Sequence, residues 1–478
     1  MVANARRLVP PLCVDLDGTL IQTDLLAESL LILLKRNPFY LLLAFYWLIR
    51  GRAVLKAEVA ARAIPNAAVL PYNREFLAWL RSERRDGREL WLCTAANEKQ
   101  AAAVASHLGI FDGVIASDAR TNLAGRRKAD QLVQHFGERG FDYCGNERRD
   151  LETWSHARGA IVVSASAALE RDAKGRTALF RTFAGPREHL AAVWRALRPH
   201  QWSKNVLVFV PLLAAHRATD MLVWLAGLRG FVAFCLCASA VYVVNDLLDL
   251  EADRAHPRKC RRPFAAGELS IAAGLLLMLG LLGAGVAVAV TLPVRFALAL
   301  GAYLVLTGGY SLVLKRFLLI DAVALAGLYT LRIIAGASAA GIALSFWLLL
   351  FAVFLFLSLA FVKRYAELEA LRRQQRLQAL GRGYRVEDLA VLQSFGTAAG
   401  YLSVLVLALY INSPDIQALY RHPKVIWMLC VLMLYWISRV WMTAHRGGMH
   451  DDPVVYALRD RVSLGVGVLA AVSVFLAI

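Results

Sequence analysis

From about residue 205 onward the chain is a succession of apolar segments joined by short polar stretches. Few folds are open to such a chain. Backbone amides inside a bilayer must be satisfied within their own segment, so serial apolar runs fold as helices bundled in a membrane. Spans are read at 203–216, 222–246, 271–291, 295–313, 317–341, 345–362, 394–412, 424–442 and 461–478, about nine transmembrane helices. A chain that is 58% hydrophobic is not disordered. Nor is a simple soluble enzyme expected, because polar surface could not cover all of these runs.

The charge pattern orients the bundle. The formal net charge is +18, and residues 196–478 supply +11 of it, with 26 Lys+Arg against 15 Asp+Glu. The cations gather in alternate joints: Arg254 to Arg262, Lys315 and Arg316, the run from Lys363 to Arg385, and Arg446 to Arg461. Joints between these hold few, such as Arg217, Arg295, Arg421 and Lys424. The positive-inside rule places the basic joints, and with them the N-terminal region, in the cytoplasm. The basic balance is thus a topology signal, not a nucleic-acid footprint. Seven cysteines, odd in number and without metal-like spacing, are expected to be reduced structural thiols. The N-terminus runs through two arginines into a short strand, without a signal-peptide pattern.

Acids among these cations carry the chemistry. The segment NDLLDLEAD holds Asn245, Asp246, Asp249 and Asp253 at the cytoplasmic end of the second span. Spacings of three and four put the aspartates on one face of a continuing helix. Three carboxylates so close repel one another unless a cation neutralises them, and Mg²⁺ binds through a few carboxylates plus substrate phosphate. RAHPRKCRRP follows at once, with Lys259 and Arg262 as a cationic clamp for phosphate.

NDLLDLEADRAHPRKCRRPFAAGELS, RPHQWSKN at 198–205 and YSLVLKRFLLID at 310–321 resemble segments of the UbiA superfamily of membrane prenyltransferases. The resemblance covers most of 195–478. It implies an all-α polytopic domain over 186–478 in a bacterial plasma (inner) membrane, holding an isoprenoid in a lipid-facing tunnel and a pyrophosphate on Mg²⁺. Members that use prenyl diphosphate carry a second aspartate motif after the sixth helix. Here that joint reads KRYAELEALRRQQ, with Lys363 and Arg364 in place of acids. The pattern is similar to the decaprenyl-phosphate phosphoribosyltransferase branch, in which the isoprenoid is the acceptor. It implies transfer of phosphoribose from phosphoribosyl pyrophosphate to a polyprenyl phosphate. Asp246, Asp249 and Asp253 would hold the metal. Lys204, Asn205, Asn245, Lys259, Arg262, Lys315, Asp321, Lys363 and Arg364 would bind substrate. For Lys204, Lys315 and Arg332, topology or snorkelling at a helix end is the competing account. His450, Asp451 and Asp452 are read either as metal ligands or as a helix N-terminus. Prenyl transfer to an aromatic acceptor, and a non-catalytic lipid-binding protein, are the alternative functions.

The N-terminal 185 residues follow a different pattern. LVPPLCVDLDGTL reads as an apolar strand ending in DLDGT, and ELWLCTAA, NLAGRRKADQL and FDYCGNERRDL follow in order. Together they resemble the four motifs of the haloacid dehalogenase (HAD) superfamily, an α/β fold with a Rossmann-type sheet and a helical cap, expected here over about 25–85. The resemblance implies Asp15 as nucleophile, Asp17 as general acid/base, Thr94 and Lys128 on the phosphate, and Mg²⁺ held by Asp15, Asp17, Asn146 and Asp150. Asn146 stands where the family's pattern has an acid, which removes a charge from the metal site. The fusion suggests that the HAD-like domain acts as a phosphatase and removes the 5-phosphate from the transfer product. One stretch is left over. FYLLLAFYWLI at 39–49 is too short to span and reads as a buried cap helix or a membrane-surface contact.

Overall fold

The computed structural model describes residues 9–163, 166–185, 189–215, 219–375, 383–413, 420–449 and 452–477. The chain divides into two compact units, 1–197 with 242–278, and 198–241 with 279–478.

In the first unit six strands form one all-parallel sheet: β1 (Leu12–Val14), β2 (Leu90–Asn97), β3 (Gly113–Ser117), β4 (Asp142–Gly145), β5 (Gly159–Val163) and β6 (Ala178–Phe183). Their order is β3-β2-β1-β4-β5-β6. The short β1 is therefore central, with Leu12 in register with Leu90 on one side and Asp142 on the other. A parallel sheet is covered on both faces, so its central strands are mostly apolar, and alternation sorts the residues between two cores. Leu12, Val14, Leu90, Leu92, Ile161 and Val163 enter one core. Cys13, Cys93, Tyr143, Ala160 and Val162 enter the other. This burial accounts for the thiols of Cys13, Cys93 and Cys144, which are free, as are the other four cysteines.

The insertion between β1 and β2 holds helices α1 (Leu25–Arg36), α2 (Tyr40–Ile49), α3 (Arg52–Arg62) and α4 (Arg74–Arg85). Leu33, Trp47, Leu55, Val59 and Ala63 give α1–α3 a small core of their own. Asp24 caps α1 through the amide of Ala27, and Asn73 caps α4 through that of Phe76, so local sequence sets where both begin. Residues 242–278 complete this unit. Glu28 of α1 and Arg254 form a buried bidentate pair at 2.6 and 2.9 Å, and the amide of Asn66 donates to Glu251.

The second unit is helical. Among the described residues seven helices are long and apolar enough to cross a membrane: Met221–Leu248, Ile271–Ala289, Val294–Leu312, Ile320–Ala340, Phe346–Arg373, Val386–Ile411 and Pro423–His445. The pair Pro453–Arg459 and Arg461–Ala477, bent by 78°, makes an eighth if it counts as one span. The expected first span, 203–216, folds differently. Pro199–Phe209 winds as a 3-10 helix, and a five-residue helix, Val210–Ala214, follows it. Pro211 lacks an amide to donate, and the side chains of Lys204 and Asn205 are committed to polar partners, so this segment is not a straight apolar helix. Small residues set the tightest crossings. A Cβ on Gly336 would meet the carbonyl oxygen of Val208 at 1.9 Å, and one on Gly396 would meet the Trp441 ring at 2.1 Å.

Candidate active sites

Asp15 follows β1 at the carboxyl edge of the sheet, where open α/β sheets place their ligands. Lys128, on the helix Arg126–Phe136, reaches its carboxylate at 2.8 Å and the Tyr143 hydroxyl at 2.7 Å. Tyr143 donates in turn to Asp150, whose other oxygen accepts the amides of Asn146 and Glu147. Thr19 donates to Asn146 Oδ1 at 3.1 Å and lies 3.5 Å from Asp15. Gly18, at φ +73°, brings the backbone against Asn146, and a Cβ there would sit 2.2 Å from its amide nitrogen. Thr94 is buried in β2 and accepts the amide of Ala96. Asp15, Lys128, Asn146 and Asp150 thus share one network, with Asp150 3.5 Å from Lys128, while a backbone amide fixes one oxygen of Asp17. Asp17 accepts the amide of Leu25, and Asp150 is held by the protein itself.

Burial sets the electrostatics here. It raises Asp15 to about 6, with Asp150 adding to the rise and Lys128 opposing it. It pushes Asp17 well above the carboxylate range, reinforced by Asp24. Burial alone would lower Lys128, yet Asp15 and Asp150 outweigh it and hold the ammonium above its ordinary value. Tyr143, Thr19 and Lys56 were not among the sequence candidates. Lys56 comes from α3 and donates to Asn122 at 2.9 Å. Nothing in a local motif marks it.

In the same unit the aspartate-rich segment is broken. The helix Met221–Leu248 ends just before Asp249, and a short helix, Leu250–Ala255, follows. Asp246 and Asp253 are buried and both accept from Nη1 of Arg262, at 3.1 and 2.5 Å. Asp249 instead takes Nζ of Lys35 from α1 at 2.6 Å. Asn245 is half-buried, and Lys259 is exposed. Among the described residues, no group of three or more His, Cys, Asp or Glu converges as a metal cluster. The donors still suit Mg²⁺. Two carboxylate oxygens that share one nitrogen lie at most about 5.6 Å apart. An octahedral Mg²⁺ ion would bring them to roughly 3 Å if adjacent or roughly 4 Å if opposite, and would complete its shell with water and phosphate. Asp15 and Asn146 offer a similar pair of hard oxygen donors.

The second unit holds a separate polar cluster. Lys204 and Lys363 both donate to Oδ2 of Asp452 at 2.9 Å, and Tyr329 donates to Oδ1 at 2.8 Å. Asp452 also caps the helix Pro453–Arg459 through the amide of Val454, so its helix-terminus role is real. His450 and Asp451 lie outside the described residues. Burial would raise the Asp452 carboxyl, but Lys363 and Lys204 outweigh it and hold it well below the usual range. Asn205 accepts from Arg332 at 2.9 Å, and Arg332 stacks over Tyr303 and donates to its hydroxyl. Lys363 and Arg364 part company. Arg364 is fully buried, 3.3 Å from Asp321 and bonded to Glu367, while Asp321 also accepts the Tyr384 hydroxyl. Lys315 lies in a one-turn helix, Leu314–Arg316, between two spans.

Residues 206–456 match the UbiA prenyltransferase family, and they are more than half of the chain. The chain belongs to the UbiA prenyltransferase family. This UbiA-family protein is 39% identical over 463 residues to a Sinorhizobium fredii protein designated y4nM, covering 96% of the chain and 90% of that relative. It is 39% identical over 275 residues to the nodulation protein NoeC of Azorhizobium caulinodans, covering 56% of the chain and 87% of NoeC. It is 44% identical over 182 residues to decaprenyl-phosphate phosphoribosyltransferase of Corynebacterium glutamicum, covering 36% of the chain and 54% of that enzyme. It is a multi-pass membrane protein with a parallel α/β domain at its N-terminus, and its family is one of transferases.

Proposed function

We propose that this protein transfers 5-phosphoribose from phosphoribosyl pyrophosphate to a polyprenyl phosphate, and that its HAD-like domain then removes the 5-phosphate. The observation that carries the reading is the Lys204–Asp452–Lys363 cluster. Two ammonium groups share one carboxylate, and one of them, Lys363, stands in the joint where members that use prenyl diphosphate carry acids for a second metal, which suits a lipid phosphate that brings no metal of its own. The partial likeness to decaprenyl-phosphate phosphoribosyltransferase supports the same donor.

In the transfer step the bond from C1 to the pyrophosphate oxygen breaks, and a phosphate oxygen of the lipid bonds to C1. Asp246 and Asp253, joined by Asp249 when Lys35 releases it, would hold Mg²⁺, which would supply positive charge for the departing pyrophosphate. Arg262 and Lys259 provide fixed positive charge for the same oxygens, which gain negative charge as the sugar becomes oxocarbenium-like. Lys204, Asn205 and Lys363 steer the lipid phosphate, which is already an anion and needs no general base. Asn245 and Lys315 contribute further polar contacts to substrate, while Asp321 and Arg364 position the helix that bears Lys363. In the HAD-like domain an oxygen of Asp15 attacks phosphorus. The ribose oxygen departs with the proton that Asp17 holds, and Thr94 and Lys128 steady the phosphoryl group. Water, losing a proton to Asp17, then attacks phosphorus, releasing inorganic phosphate and restoring both aspartates. Asp15 and Asn146 would hold Mg²⁺ there. The protein would work in a bacterial inner membrane with this domain in the cytoplasm.

The test is to supply purified protein with polyprenyl phosphate, phosphoribosyl pyrophosphate and Mg²⁺ and weigh the lipid product. A lipid bearing unphosphorylated ribose is expected. Product that keeps the 5-phosphate refutes the second step. Transfer of a prenyl group from prenyl diphosphate to an aromatic acid, with none from phosphoribosyl pyrophosphate, refutes the first.

A further inference from the structure

The helix α2 has an unusual surface for a domain built around a soluble-type sheet. Tyr40, Ala44 and Trp47, at spacings of four and three, turn inward against the small core of α1 and α3. The opposite face is Leu42, Phe45 and Ile49, which are 68%, 65% and 71% exposed, with Phe39 at 72% just before it. Leu41, Tyr46 and Leu48 widen the apolar strip. A contiguous patch of this kind marks an interaction site.

Two observations say what covers it. The first is charge. No Asp or Glu occurs from residue 29 to residue 57, while Lys35, Arg36, Arg50, Arg52 and Lys56 all fall there. An apolar helix edged by cations and carrying aromatic rings is the composition of a helix lying in the interface of an anionic bilayer. Arg50 lies over the Tyr46 ring at 5.9 Å, which keeps its charge beside the apolar face. The second is place. Within the same unit, Lys35 bonds to Asp249, one residue beyond the span Met221–Leu248. A cleft of about 250 Å³ brings Leu31, Ile32 and Lys35 of α1 together with Leu247 and Leu248 of that span. From Lys35 to Tyr40 the chain reaches at most about 18 Å even when fully extended. The start of α2 is therefore tethered close to the end of a membrane span.

We propose that α2 is an interfacial membrane anchor, laying its Leu42–Phe45–Ile49 face into the headgroup–acyl boundary of the bilayer, with Arg50, Arg52 and Arg36 at anionic headgroups. The HAD-like domain is then held at the lipid surface by its own cap as well as by the chain that joins it to the spans. This rests on membrane embedding by the spans and not on the identity of either substrate.

The test places p-benzoylphenylalanine at Phe45, at Ile49 and, as a control on the same domain, at Arg81. Each full-length variant is reconstituted in nanodiscs of phosphatidylcholine, alone or mixed with phosphatidylglycerol, and irradiated, and adducts are identified by mass. Lipid adducts at Phe45 and Ile49, several-fold above Arg81 and more abundant in the mixed discs, are expected. Adducts joining two copies of the protein, or lipid adducts no more frequent than at Arg81, overturn the anchor. Equal yields from both lipid mixtures overturn the role given to the arginines. Using two positions guards against one label disturbing the fold, which an unchanged unfolding midpoint checks directly.

Discussion

Replacing Asp452 with asparagine removes one charge from the Lys204–Asp452–Lys363 cluster and leaves its shape. An asparagine oxygen still accepts from Tyr329 and from the amide of Val454. Each Lys–Asp contact at 2.9 Å is worth about 6 kcal/mol of gross attraction at an effective dielectric of 20. The two ammonium nitrogens, bonded to the same oxygen, are no more than about 5.8 Å apart and repel by about 3 kcal/mol or more on the same scale. Most of the attraction offsets the cost of taking three charges out of water, so the measurable loss on breaking the cluster should be about 3–5 kcal/mol. Lys204 limits that loss. Burial already outweighs Asp452 and lowers it to about 8, so without its counter-ion it sheds its proton near neutrality. The assay is thermal unfolding of the purified protein in detergent, followed with a thiol-reactive fluorophore, because six of the seven cysteines are buried. The expected result is a lower midpoint for Asp452→Asn at pH 7 and partial recovery when Lys204→Met is added. The pH dependence has a definite sign. A carboxyl held below its ordinary 3.8 stabilises the fold above that value, and the contribution is lost as pH falls beneath it. Wild type should therefore approach the variant on acidification. A variant as stable as wild type at pH 7 would refute the claim that charge holds the cluster.

Other variants test the other sites. Asp15→Asn should lower dephosphorylation by roughly 10⁴-fold or more while transfer continues, so phosphoribosyl lipid accumulates in the mass assay. Asn146→Asp restores a charge to the HAD-like metal site and should lower the Mg²⁺ needed for half-maximal phosphatase rate by roughly tenfold. Arg254→Met strands the buried Glu28 carboxylate and should cost about 3–5 kcal/mol, with Glu28→Gln in the same chain recovering part of it in a denaturant titration. Lys35→Met breaks a pair that is a third or more exposed on both sides, so stability should change by less than about 1 kcal/mol. The same change frees Asp249, so Mg²⁺ should saturate transfer at lower concentration.

What could be read from the sequence follows the range of the interactions. Asp15, Thr94 and Lys128 sit in short motifs tied to strands and a helix start, and the structure gathers Asp15 and Lys128 at 2.8 Å. Apolar runs marked the seven long helices because a span is specified locally. Two kinds of information were out of reach. Asp452 and Lys204 are 248 residues apart, and neither carries a mark of the other. Periodicity extended one helix through Asp246, Asp249 and Asp253, but partners decide that segment: Arg262 takes two of the carboxylates and Lys35 the third. The 203–216 segment departs from a single span for a related reason. Its hydropathy hides Lys204 and Asn205, whose buried polar contacts and the nearby Pro211 favour short helical pieces over a span.

Among the described residues, the central charged groups of these sites are paired internally: Lys128 with Asp15, Arg262 with Asp246 and Asp253, Lys35 with Asp249, and Asp452 with Lys204 and Lys363. Burial demands this, since an unpaired charge removed from water costs several kcal/mol. The consequence for binding is that ligands enter by exchange rather than by addition. A divalent cation taken up by Asp246 and Asp253 displaces Arg262, and the freed guanidinium is then available to the phosphate that the cation carries. A phosphate taken up by Lys204 and Lys363 must likewise compete with Asp452. Each ligand must break an internal ion pair as it forms an external one, which offsets part of its attraction, so affinity should fall less steeply with salt than simple addition of ions to an open cluster would require. Asp452→Asn reverses that expectation at one site only. It strips the competitor from the two lysines and, at a pH low enough to keep Lys204 protonated, should tighten phosphate binding and steepen its salt dependence together.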